Sequence, residues 1–349
     1  GTGGSCVVEF CGVQYLGIQA LSAPPEETRL SEFLSVIVPV HNEAAVLPRF
    51  HARMSQVMSE TGYAYEIVYI DDGSDDDSAA RIAGIRDEDS SVALIELSRN
   101  FGKEIALSAG LDHARGDAVI VIDADLQDPP ELVHTFLREW RDGYDVVYGK
   151  RTDRRGDSRT KVLTARWFYR VLNYLSDVEI PEDVGDFRLL SRRAVDALVS
   201  MPERHRYMKG LYAWIGFPQK AVPYVREPRE AGQTNWNYWR LWNFALEGIT
   251  SFSDAPLKVA TYLGAFTSAV AFLYGLFLLV RTLIWGNPVP GYPSLIIVML
   301  FLGGVQLICI GIIGEYLART YQETKSRALY FVKGYHPAAG ETPVSGDPD

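Results

Sequence analysis

From Phe33 onward, short apolar runs alternate with stretches in which apolar positions recur every three or four residues. The runs FLSVIVPV (33–40), YEIVYI (65–70), Val92–Leu97, Ala118–Ile122 and Asp145–Tyr148 have strand character, and Ala44–Thr61 and Glu104–Ala114 carry the helical period. This alternation predicts an α/β domain with a mostly parallel sheet and helices on both faces. In such sheets ligands bind beyond the carboxyl ends of the strands, so the residues that follow each run are where chemistry is expected.

Farther along, the pattern changes. Residues 259–280 carry no charge, and 282–314 carry none either, although Asn287–Pro293 interrupts them with a Pro-rich turn. About 20 apolar residues cross a bilayer, so two spanning helices are predicted, Leu257–Leu283 and Pro293–Ala318; the alternative is a helical hairpin buried in a soluble core. Lys258 precedes the first span and Arg319, Lys325, Arg327 and Lys333 follow the second, whereas the turn has only Arg281 at its edge. That bias places both ends on the cytoplasmic side. Residues 1–32 are mildly apolar, but Glu9 interrupts them and no basic stretch leads in, so they read as a poorly ordered lead-in and not as a signal peptide.

Composition narrows the function. Hydrophobic residues make up 47% and charged ones 22%, which excludes wholesale disorder, and the net charge of −10 disfavours a nucleic-acid partner. Cys6, Cys11 and Cys309 fall in no metal-ligand spacing. No Gly-x-Gly-x-x-Gly follows the first strand and no Walker A sequence exists, which removes dinucleotide-binding and P-loop enzymes.

The strand ends are acidic. His41-Asn42-Glu43 follows the first, Asp71-Asp72-Gly73-Ser74 and Asp75–Asp77 the second, and Asp123-Ala124-Asp125-Leu126-Gln127-Asp128 the fourth. Carboxylates crowded on one rim need a cation or donor groups to offset them. In extended chain, residues two apart share a side; Asp123, Asp125 and Gln127 are therefore expected to present three oxygen ligands on one face. Such hard donors suit Mg²⁺ or Mn²⁺, and Mg²⁺ commonly shares its shell with substrate phosphates.

A basic stretch follows the fifth strand. Lys150, Arg151, Arg154, Arg155, Arg159, Lys161, Arg166 and Arg170 stand against Asp153 and Asp157, with apolar residues interleaved at helical spacing. Residues 158–176 thus read as an amphipathic helix for the headgroup layer, with a solvated surface helix as the alternative. The aromatic-rich segment 236–256 reads as a second interfacial helix ahead of the first span.

These residues resemble the membrane-bound polyprenyl-phosphate glycosyltransferases, the dolichol-phosphate mannose synthase-like inverting enzymes of glycosyltransferase family 2. The resemblance is carried by SVIVPVHNE, VYIDDGSDDDS, LSRNFGKEIALSAGLDHARGD, VIDADLQDPPEL, GDFRLLSR, KGLYAWIGF, REPREAGQTNWNYWRLWNFALEGI and LFLGGVQLICIGIIGEYLARTYQETKSRALYFV, which together cover about residues 34–333. It implies a Rossmann-like nucleotide-diphospho-sugar transferase domain of the A type over 33–235, two transmembrane helices over 257–318 and a cytoplasmic tail over 319–349. The later motifs are similar to the bacterial two-span branch that loads polyprenyl phosphate with glucose or a related hexose.

The resemblance also implies roles. Pro39, Glu43 and Asp72 fall where relatives contact the nucleoside, and Asn100 and Lys103 in a loop closing over the donor. Asp123, Asp125 and Gln127 match the metal and diphosphate site. Arg151, Arg159 or Lys161, and Thr164 fall where relatives hold the lipid phosphate. Asp186 matches a catalytic aspartate, as base or as positioning group, with Arg188 beside it. Arg229, Gln233 and Thr234 lie in a segment closing over the donor. Relatives have Lys where Asn235 stands, which leaves Lys209 or Arg229 to meet the diphosphate. The implied activity is inverting, metal-dependent transfer of a hexose, foremost glucose from UDP-glucose, to polyprenyl phosphate at the inner membrane by a homotetramer. The alternatives are a GDP-mannose-dependent enzyme, a processive polysaccharide synthase, and a lipid-linked-sugar transporter without catalysis. The synthase motif Gln-x-x-Arg-Trp is absent.

Overall fold

A computed structural model describes residues 32–152, 184–201, 203–204, 206–226, 255–285 and 291–338. Numbering the described elements in chain order, the strands are β1 (Phe33–Val40), β2 (Ala64–Asp71), β3 (Val92–Leu97), β4 (Ala118–Val121), β5 (Val146–Arg151), β6 (Val184–Ser191), β7 (Gln219–Tyr224) and β8 (Val332–His336). The helices are α1 (Leu47–Thr61), α2 (Ser78–Glu88), α3 (Lys103–His113), α4 (Leu132–Arg141), α5 (Arg192–Ser200), α6 (Met208–Trp214), α7 (Ala255–Trp285) and α8 (Tyr292–Thr324).

All eight strands form one sheet in the order β7-β5-β6-β4-β1-β2-β3-β8. The β3-β2-β1-β4 half is parallel throughout, while β6 runs antiparallel between β4 and β5, and β8 antiparallel along β3. The apolar runs are continuous because both faces of the sheet are covered. Leu34, Val36 and Val38 of β1 pack with Phe50 and Met54 of α1, Ile82 of α2 and Phe136 of α4. Ile37 faces the other way, into a layer with Leu107 of α3, Leu198 of α5 and Leu211 of α6.

At the amino ends of the strands, a buried ionic network closes the sheet. Glu66 accepts from Ser35 Oγ at 2.6 Å, from the Arg115 backbone N–H at 3.1 Å and from Arg115 Nε at 3.0 Å. Glu66 is 1% exposed, so removing its carboxylate leaves the buried Ser35 hydroxyl and the half-buried Arg115 without their acceptor. Glu66→Ala is expected to cost about 3 kcal/mol, read as a melting temperature lower by roughly 6–12 °C for a domain of this size.

Beyond the domain, α7 and α8 are long and apolar enough to span a membrane, and almost nothing covers them. Phe266, Leu273, Leu283, Ile297, Leu307 and Leu317 all lie exposed. That exposure overturns the alternative of a hairpin buried in a soluble core. Both helices run past the apolar stretches that predicted them: α7 continues through Arg281 to Trp285, and α8 continues beyond Ala318 to Thr324.

The segment expected as a cytoplasmic tail differs most. After α8 the chain returns to the sheet as β8, and the bond from Ser98 N–H to Phe331 O at 2.9 Å leads into that pairing. Tyr330 donates to Asp112 at 2.8 Å, and Arg204 N–H to Glu323 of α8 at 3.0 Å. The lead-in, the amphipathic helix over 158–176 and most of the segment over 236–256 lie outside the described residues.

Candidate active site

Three strand ends and one helix start enclose a cleft of about 290 Å³. Pro39, His41 and Glu43 enter from the end of β1, and Asp72 from β2. Asn100, Gly102 and Lys103 come from the β3–α3 connection, and Asp123, Ala124 and Asp125 from the end of β4. Seven residues named from sequence, Pro39, Glu43, Asp72, Asn100, Lys103, Asp123 and Asp125, therefore share one cavity. Arg159, Lys161, Thr164, Arg229, Gln233 and Thr234 lie outside the described residues.

Local turns build this rim. Gly73 has φ +62, and a Cβ there would come within 2.4 Å of the Arg99 carbonyl carbon, so only glycine lets the β2–α2 turn tuck under Asn100. The Asp72 carboxylate, 3% exposed, accepts from the backbone N–H groups of Phe101 at 2.7 Å and Gly102 at 2.9 Å. Burial pushes its pKa up, against the pull of those two donors. In the structure Asp72 thus anchors the start of α3. The His41 ring is held at the cleft wall by Nδ1, which donates to the Asp72 carbonyl at 3.1 Å, and by Nε2, 2.9 Å from the Asn100 side-chain amide.

The expectation that Asp123, Asp125 and Gln127 alternate along an extended strand is corrected. β4 ends at Val121, and Leu126 has φ 56, a left-handed turn conformation. Asp125 Oδ1 accepts the Gln127 backbone N–H at 3.1 Å and closes that turn. Asp123 and Asp125 still both reach the cleft, whereas Gln127 is not among its walls.

Lys103 is the charge centre. Its Nζ lies 2.6 and 2.7 Å from the two oxygens of Asp123 and also bonds Asp186 Oδ2. Burial alone would lower the Lys103 pKa, but Asp123 and Asp186 outweigh it and raise the value. Asp186 is held below the usual carboxylate range: burial opposes this, and Lys103 and Lys209 overcome it. Asp123 shifts upward, through burial and its neighbours Asp186 and Asp125, despite Lys103. Behind them, burial and Asp186 push Glu104 up to about 8. Arg188, 2% exposed, stacks 3.5 Å over Tyr212 and donates to the Gly185 carbonyl at 2.9 Å, bracing the strand that carries Asp186. Lys209 lines a small separate recess with Arg188 and Tyr212, not the main cleft.

Sequence reasoning singled out Arg151 without its setting. Its Nε donates to Tyr224 Oη at 3.4 Å, and Tyr224 donates to Asp128. Arg226 approaches the same turn, 3.8 Å from Asp125 Oδ2 and 3.9 Å from Asp128 Oδ1. Tyr224 carried no signal in the sequence, because its partners are set by the pairing of β7 with β5, and Arg226 entered only as the first residue of REPREAGQTNWNYWRLWNFALEGI, with no role assigned.

The family profile described as Glycosyl transferase family 2 matches residues 35–199, and the one described as GtrB C-terminal hairpin matches 255–320. An uncharacterized glycosyltransferase of Synechocystis sp. is 51% identical over 86% of this chain and 94% of its own. The SfII prophage-derived bactoprenol glucosyl transferase of Shigella flexneri is 49% identical over 87% of this chain and 98% of its own. Glucosyl-3-phosphoglycerate synthase from Mycobacterium tuberculosis, solved with Mn²⁺, UDP-glucose and phosphoglyceric acid, aligns at a TM-score of 0.44 and 21% identity, over 64% of this chain and 80% of that one. With near-complete coverage of its relatives and a hairpin that associates it with membranes, this chain belongs to the glycosyltransferases of family 2 that carry the GtrB-type C-terminal hairpin.

Proposed function

We propose that the protein transfers glucose from UDP-glucose to polyprenyl phosphate, with inversion, at the cytoplasmic face of the inner membrane. The observation that carries this reading is the coverage of bactoprenol glucosyl transferases at 49% identity over 98% of their length, hairpin included. The cleft and the exposed hairpin give it a physical basis: a soluble nucleotide sugar enters beside the strand ends, and a lipid phosphate arrives along the bilayer.

The cleft suits a divalent cation. Asp123 and Asp125 supply hard carboxylate oxygens to the cleft, with Asp186 close by across Lys103. Among the described residues no three His, Cys, Asp or Glu side chains are grouped to hold a metal. Two carboxylates alone leave positions for diphosphate oxygens and water, the usual habit of Mg²⁺. Bound there, Mg²⁺ or Mn²⁺ would neutralise the departing diphosphate, a contribution of several kcal/mol.

The chain's own residues do the rest. His41 and Asn100 form the wall beside the Asp72 turn, and Lys103 places positive charge between Asp123 and Asp186. The attacking group is a phosphate oxygen; with a second pKa of about 6, like that of a phosphoserine, it is already anionic at neutral pH. Asp186, held ionised by Lys103, is a weak base and acts by orienting acceptor or sugar. Arg151 and the basic stretch beyond it draw the lipid phosphate by charge-assisted bonds.

The test is incorporation of labelled glucose into organic-extractable lipid by the full chain in detergent, with a donor panel including GDP-mannose. Saturating single-sugar product from UDP-glucose supports the reading; polymer, or preference for GDP-mannose, replaces it. Charge reversal at Arg151 (Arg151→Glu) is expected to raise the acceptor KM by about 10- to 100-fold and the donor KM by less than twofold, from loss of a charge-assisted bond. Equal changes in both constants would contradict the assignment of Arg151 to the acceptor.

A further inference from the structure

The geometry points to Asp128 and Tyr224 as a positioning pair for Arg151, an inference that rests on the proposed transfer to a lipid phosphate. Asp128 is 1% exposed and Tyr224 6% exposed, and the tyrosine hydroxyl donates to the Asp128 carboxylate. Having given its proton to Asp128, the same oxygen offers a lone pair to Arg151 Nε at 3.4 Å. The direction of the chain is therefore fixed: guanidinium to phenol to buried carboxylate. Burial, reinforced by Asp128, raises the Tyr224 pKa, so the phenol stays protonated and the direction does not reverse.

The sheet is built around this pair. Arg151 and Tyr224 sit opposite one another in the parallel β5–β7 register, and Thr152 N–H donates to the Tyr224 carbonyl at 2.9 Å. A Cβ on Gly149 would lie 2.8 Å from the Tyr224 ring, and one on Gly185 2.9 Å from Arg151 Nη2. Two strand glycines thus open a slot for ring and guanidinium, a close approach of the kind interior strand glycines mark. Gly185 lies in the strand that carries Asp186, so the slot holds the Arg151 guanidinium against that strand, within electrostatic reach of Asp186. On its other side Asp128 meets Arg226, whose guanidinium also faces Asp125. One buried carboxylate therefore joins the turn carrying the donor carboxylates to the arginine awaiting the acceptor.

A residue acting only through Arg151 alters the binding of what Arg151 binds. Tyr224→Phe is expected to raise the KM for polyprenyl phosphate about tenfold, with UDP binding by calorimetry in Mn²⁺ unchanged. Asp128→Asn, which still accepts the hydroxyl, is expected to raise it by less. In an Arg151→Ala background Tyr224→Phe is expected to add nothing, since the pair then has no arginine to place. A loss confined to kcat with acceptor KM unchanged, the pattern of a smaller folded fraction, would overturn the inference, as would full additivity with Arg151→Ala. Wild-type chain that binds UDP-glucose yet glucosylates no lipid phosphate would instead overturn the proposed function itself.

Discussion

Asp125→Ala will reduce glucosyl transfer by about a thousandfold or more, the loss that follows when charge stabilisation of a leaving group is dismantled. Asp125 is 8% exposed, held in the β4 turn by the Gln127 N–H, and faces the cleft beside Asp123. Alanine removes one of two carboxylates proposed to hold the cation and also strips Arg226 of a charge partner 3.8 Å away. Asp123 is left as the single carboxylate for the cation, and it shares both of its oxygens with Lys103. Initial rates over a Mg²⁺ and Mn²⁺ titration give the measurement, with thermal unfolding as the control for folding. Undiminished turnover of the variant with all metal chelated would remove the cation from the scheme.

Asp186→Asn has the second largest expected effect, a fall in kcat of about a hundredfold with activity still measurable, the cost of misplacing a reactant. The pH profile is the more telling readout. Asp186 has a folded pKa below its unfolded value, so the stability it contributes is fully present above about pH 4. That contribution disappears only as pH falls through the depressed value. Between pH 5 and 8 it does not titrate; the limb of kcat/KM near pH 6 belongs to the acceptor phosphate, distinct from Glu104 behind the site, which is pushed up to about 8. The limb should stay where it is in Asp186→Asn. Its disappearance in the variant would make Asp186 the proton acceptor.

How much of this was readable from residues alone depends on the range of the interactions. The core strands β1 to β4 announced themselves because burial on both faces demands unbroken apolar runs. The acidic rim followed, since Glu43, Asp72, Asp123 and Asp125 come just after β1, β2 and β4 and the fold must bring these ends together, whereas Asn100 and Lys103 were named by the family resemblance alone. β8 did not announce itself: VKGYH is short, mixed in polarity and lies on the sheet edge, where one side needs no apolar partner. β7, with Pro223 on the opposite edge, was equally silent. The Asp123–Gln127 ligand face was misjudged for a local reason, the left-handed Leu126, which turns the chain where alternation assumed it straight. Lys103 bridging Asp123 and Asp186, and Tyr224 bridging Asp128 and Arg151, depend on β6 inserting between β4 and β5 and on β7 pairing with β5. Such distant register is not written in any local pattern.

The return of β8 has a mechanical outcome. Only residues 325–331 separate α8 from β8, and a stretch of that length reaches about 25 Å at full extension. With its hairpin embedded, the catalytic body is moored at both ends of the hairpin, on a leash too short to let it drift off the leaflet. Encounter with the lipid is then a search in two dimensions by lateral diffusion, and the nucleotide sugar alone arrives from the third.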